Sequence, residues 1–148
     1  MPTDVPLPPV QSAEEIVDRL LAGTLDRDSW THAAHLFVAR HLLTATADAD
    51  DALAQLRILI QAHNARVGLP PGRGGYHETV TRYFVEAIDH AQPPSLAALL
   101  TEPTCRRESP RRHWSRELLA SDEARAGWVE PDLIPLPWAP TYEARITP

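Results

Sequence analysis

Two histidines three residues apart, His32 and His35, sit in "SWTHAAHL", and a third, His77, precedes Glu78 in "GYHETV". Neutral imidazole suits zinc, iron or copper, and a three-histidine or two-histidine-one-carboxylate set leaves coordination positions open for a substrate. On a helix starting near Thr31, positions 32, 35, 36, 39, 42 and 43 share one face, so both histidines are expected to point inward. On a helix following the glycine-rich break, positions 77, 80, 81, 84 and 88 form the inward face. His77 is then again in a first turn, with Glu78 at the edge and Thr81 one turn on. The positive end of each helix dipole disfavours imidazolium and keeps such rings ready to coordinate.

These positions define the expected site. His32, His35 and His77 are the metal ligands, and Glu78 is a fourth ligand or the general base. Arg57 lies on the stripe of Leu53, Leu56, Ile60 and Asn64, where a charge that cannot be neutralised must be paired. Its candidate partners are Glu78 and an anionic substrate, the alternative being that it snorkels at the bundle margin. With Thr81 nearby, the set reads as a mononuclear divalent-metal centre of a small enzyme acting on a small, anionic molecule. The metal would polarise a carbonyl or activate water, as in a lyase or hydrolase, or activate dioxygen, as in an iron or copper oxygenase. No H-E-x-x-H is present. The competing reading is metal-free: a small-molecule-binding or protein-interaction domain with a buried His/Arg/Glu network. His41, His63 and His90 are expected at the surface, and Trp30 and Tyr76 could wall the site.

Helices must position all of this. Ser12 and Glu15 form an S-x-x-E capping box for a first helix striped by Ile16, Leu20 and Leu21 and ended by Gly23. The second runs from about Thr31 to Thr44. The third runs from about Asp51 to Arg66, capped within "DADD" and stopped by Gly68. "LPPGRGG" is a breaker, and "YHETVTRYFVEAIDHA" makes a fourth helix. "PPSLAALL", "RHWSRELLA" and "SDEARAGWV" add short ones. The proline-rich arm of residues 1–11 and the tail of 129–148 are extended, the tail's Leu133, Ile134, Leu136 and Trp138 lying along the bundle. No segment alternates like a strand. The expected fold is all-α, a single-domain bundle of four to seven helices spanning 1–148.

Composition narrows the classes. The 148 residues include 14 basic side chains, and every one is arginine, which excludes lysine nucleophiles and a P-loop lysine. A net charge of −6 argues against nucleic acid as a general partner. The exception is "CRRESPRRHWSR", whose crowded arginines could bind phosphate or be a solvated face. Cys105 is the single cysteine, so no internal disulfide forms, and its two following arginines could lower its pKa. Ser115 lies near His113 but lacks a nucleophile elbow. With neither a signal-peptide pattern nor an apolar span, the expectation is a cytoplasmic protein with no membrane partner, for which a homodimer is allowed.

"WTHAAHL", "ALAQLRILIQAHN", "GYHETVTRYF" and "SDEARAGWVEPDLIPLP" together resemble a small bacterial all-helical family of unestablished function with W-x-H-x-x-H-L and Y-H-E-T motifs. The similarity runs from about Trp30 to Pro137. It implies that His32, His35, Arg57, His77, Glu78 and Thr81 form one signature, and it leaves His113 outside.

Overall fold

The computed structural model describes residues 13–69 and 75–138. The arm of residues 1–11, Ser12 of the capping box, positions 70–74 of the breaker and the tail beyond 138 lie outside them. Among the described residues every regular element is helical, so the fold is all-α. The chain divides into two compact units, Met1–Gly75 and Tyr76–Pro148.

The first unit is built from α1 (Ala13–Ala22), α2 (His32–Ala45) and α3 (Ala49–Arg66), which pack against one another pairwise. Local chemistry sets their limits. Gly23 at φ +73° and Gly68 at φ +81° end α1 and α3 in the left-handed region that L side chains avoid. Both ends are Schellman motifs: Thr24 N–H donates to Arg19 O at 2.9 Å, and Leu69 N–H donates to Asn64 O at 2.8 Å. Thr31 caps α2 by accepting from Ala34 N–H, and Asp48 caps α3 by accepting from Asp51 N–H.

The core of this unit combines Ile16, Val17 and Leu20 of α1, Leu36, Phe37, Val38, Ala39 and Leu42 of α2, and Leu53, Leu56 and Ile60 of α3. Helix α2 is buried over most of its circumference rather than along one stripe. Leu21, expected in the α1 stripe, is 52% exposed. Its phase lies 100° past Leu20, outside the arc that Ile16, Val17 and Leu20 cover.

The second unit is organised around α4 (Glu78–Ala91), which packs on α7 (Asp122–Ala126) and on a 3-10 turn at Pro103–Cys105. The same turn receives α5 (Leu96–Thr101), and α6 (Arg116–Leu119) lies against α7. A second 3-10 turn covers Ser109–Arg112. Ser95, Ser115 and Ser121 each cap the helix that follows them. Tyr83, Trp114 and Trp138 are almost wholly buried and meet in tilted and edge-on contacts, with Tyr83 5.7 Å from Trp114 and 5.5 Å from Trp138. Leu136 and Trp138 bury as the tail was expected to, whereas Leu133 and Ile134 are more than half exposed.

No helix among the described residues is long and apolar enough to cross a membrane.

Candidate functional site

The sequence motifs divide between the two units: His32, His35 and Arg57 belong to the first, and His77, Glu78 and Thr81 to the second.

In the first unit Thr31 organises the start of α2. Its hydroxyl caps the helix, while its carbonyl accepts the His35 backbone N–H at 3.0 Å and faces His35 Nδ1 at 2.7 Å. A carbonyl can only accept, so Nδ1 carries the proton and Nε2 is the bare lone pair. Trp30, half-buried just before the cap, lies against the His35 ring with centroids 3.8 Å apart and planes 30° from parallel. Burial pushes the His35 pKa down to about 4, and the positive potential of His32 and His63 adds to that depression. The ring is neutral at physiological pH.

His63 is the residue that sequence reasoning misplaced. Expected at the surface, it is 3% exposed, and its ring lies 5.6 Å from the Trp30 indole. The signal was present in the spacing: His63 follows Ile60 by three and Leu56 by seven, on the buried stripe of α3. An Arg66 Nη2–H donates to His63 Nδ1 at 3.1 Å, and the same guanidinium reaches the carbonyl of Leu25. Nδ1 is therefore an acceptor, and the neutral ring carries its proton on Nε2. Among the described residues that buried Nε2 has no hydrogen-bond partner. Burial and the neighbouring Arg66 charge both lower the His63 pKa, with Asp26 opposing them. The two rings beside Trp30 thus present opposite functions, an acceptor at His35 Nε2 and a donor at His63 Nε2. Arg57 is half-buried on α3 and is engaged rather than free, as is His32.

In the second unit His77 is the N-cap of α4. Its Nδ1 accepts from Val80 N–H at 3.2 Å, and its Nε2 donates to the Leu119 carbonyl at 2.7 Å. Both ring nitrogens are occupied within the unit. Burial lowers the His77 pKa, and the Arg125 charge adds to the depression against the Leu119 carbonyl. Glu78 is buried at the first helical position and accepts a 2.6 Å hydrogen bond from the Tyr76 hydroxyl. Thr81 donates back to the His77 carbonyl at 2.7 Å. Thr79, outside the expected inward face, is fully buried and donates to Gly127 O at 2.7 Å.

One minor expectation changes. Cys105 is buried, and burial raises its thiol pKa to about 11, so the following arginines do not activate it. Ser115 serves as the cap of α6, with its backbone N–H donating to Asp132. His113 is buried with Nδ1 directed at the Ile134 carbonyl at 2.7 Å. Exposed His41 and His90 lie as the periodicity predicts.

Among the described residues no three His, Cys, Asp or Glu side chains form a group that could hold a metal ion. No family model, curated protein or solved structure matches the chain.

Proposed function

We propose that the chain binds a small polar molecule at the start of α2, with Trp30 as an apolar wall and His35 and His63 as its hydrogen-bonding groups. The observation that carries this reading is the buried, unpartnered Nε2–H of His63 beside an indole that also lies on His35. A buried donor without a partner costs roughly 1–3 kcal/mol, which a ligand acceptor would recover. A ligand carrying adjacent acceptor and donor atoms, such as a primary amide, matches the His63 donor and the His35 acceptor. With a pKa of about 4, His35 is a weak proton acceptor near neutrality, which favours binding over general-base catalysis.

Titration of the full chain with acetamide, followed by side-chain ¹⁵N NMR, tests this directly. Saturable shifts at His35, His63 and the Trp30 indole, abolished by His63→Phe, are expected. Shifts that are absent, or that persist in the variant, overturn it.

The second reading is a small metal-dependent enzyme with zinc, iron or copper at the motif histidines. What favours it is His35, whose Nδ1–H is held by a backbone carbonyl in the posture that commonly orients a ligating imidazole. His77 would have to release both of its hydrogen bonds to join such a site. Stoichiometric uptake of Zn²⁺, Fe²⁺ or Cu²⁺ that His35→Ala abolishes would support this second reading. Failure of all three ions to bind removes it.

A further inference from the structure

The second unit carries a surface cavity of about 290 Å³ lined by Pro103, Arg106, Glu108, Ser109, Arg111 and Arg112. The chain as a whole is acidic, at net charge −6, yet this cavity is lined by three exposed arginines and one exposed glutamate. Among the described residues those three arginines form no ion pair and no side-chain hydrogen bond. Like charges facing one cavity repel, and an anion between them relieves that repulsion.

The backbone beneath them is braced. Ser109, itself buried, donates from its hydroxyl to Pro103 O at 2.7 Å and ties the two 3-10 turns together. The Tyr83 hydroxyl donates to Thr104 O at 2.8 Å, and the Glu102 carboxylate accepts from both the Thr104 N–H and its hydroxyl. Arg106 closes the first turn, and Arg111 and Arg112 project from the second. Only their side chains need to move to engage a ligand.

We propose that this cavity binds a small phosphorylated metabolite that also bears hydroxyl groups. Guanidinium forks match the oxygens of a phosphoryl group in geometry as well as charge. Glu108 in the same lining is an acceptor suited to a hydroxyl, and it repels a continuous phosphate backbone.

The test compares inorganic phosphate, ribose 5-phosphate, ribose and a single-stranded oligonucleotide, titrated into the full chain by calorimetry at low ionic strength. Ribose 5-phosphate is expected to bind saturably and tighter than phosphate, with ribose alone not binding. Arg111→Gln should weaken both phosphorylated ligands about 10-fold or more. Glu108→Gln should remove the advantage of ribose 5-phosphate over phosphate. Arg107→Gln, an exposed position that does not line the cavity, should change neither. Equal weakening by Arg107→Gln and Arg111→Gln would mean diffuse charge attraction and overturn the proposal. So would equal affinity for phosphate and ribose 5-phosphate, tighter binding of the oligonucleotide, or no saturable binding at all.

Discussion

His77 in the second unit and the His35–His63 pair in the first are all histidines held in helical surroundings, yet their ring nitrogens meet different fates. His77 has both engaged, one by the Val80 N–H and one by the Leu119 carbonyl, and so joins the start of α4 to the end of α6. His35 is held at one nitrogen by Thr31, and His63 is held at one by Arg66 while its other is buried without a partner. An imidazole satisfied on both sides is a structural element. One satisfied on a single side is oriented and retains a function to offer. The same residue type beside a helix terminus therefore cannot be assigned until the long-range partner of its second nitrogen is known.

The largest expected effect is on acid stability, and it belongs to the first unit. The unfolded His35 ring takes up a proton near pH 6.5, while the folded ring does so only near pH 4. Between those values the unfolded state binds more protons, so stability is complete above 6.5 and falls as pH drops towards 4. The loss has an upper limit of about 3 kcal/mol from this group. Lowered pKa values at His63 and His77 act in the same direction. Urea unfolding at a series of pH values checks this, and His35→Leu should flatten much of the slope. A stability that does not change across this range would show that His35 is not the desolvated ring described.

Next in size is His77→Ala, expected to cost about 2 kcal/mol because it removes a cap and a side-chain hydrogen bond to a carbonyl. His77→Asn should recover about 1 kcal/mol, since asparagine can cap α4 but is too short to reach Leu119. Denaturant midpoints at neutral pH measure both. If His77→Ala unfolds at the wild-type midpoint, the assignment of His77 as a structural element fails.

The smallest effect is expected for His63→Phe, which should stay within about 1 kcal/mol of the wild type. Removing a donor that has no partner offsets the loss of the contact with Arg66. His77→Phe, measured alongside, should lose about 2 kcal/mol because it removes two satisfied bonds. Equal losses in the two variants would erase the distinction between the two regions.

Much of the fold was legible because its signals are local. Thr31, Asp48, Gly23 and Gly68 act within one helical turn of their own positions, and their roles follow from residue type and spacing. The site was less legible. His63 is buried on the α3 stripe that its spacing marks, although a histidine there is expected at the surface. Glu78 was placed at the edge of a face and is buried, with Tyr76 two residues away as its donor. Glu86 is 5% exposed, satisfied by Arg82 one turn away and by the Trp138 indole N–H 52 positions along the chain. Only the first of those partners lies within reach of a helical-wheel argument.

The tail shows the same division. Leu136 and Trp138 bury while Leu133 and Ile134 do not, although all four are large apolar side chains. The described part of the tail bends at 132–134 and turns at 137–138, where prolines remove donors and restrict φ. They do not determine which side chains face the core.

By itself the sequence determined an all-α chain, most of its helix termini, an arginine-only basic set and the concentration of histidines near two helix starts. These depend on interactions spanning a few residues, whose energies each residue carries wherever it is placed. Tertiary structure alone decided that His77 is bound at both nitrogens, that one nitrogen of His63 finds no partner among the described residues, and that Arg106, Arg111 and Arg112 border one cavity. The fate of His77 turns on the Leu119 carbonyl, 42 positions away, which only the packed chain brings to its second nitrogen.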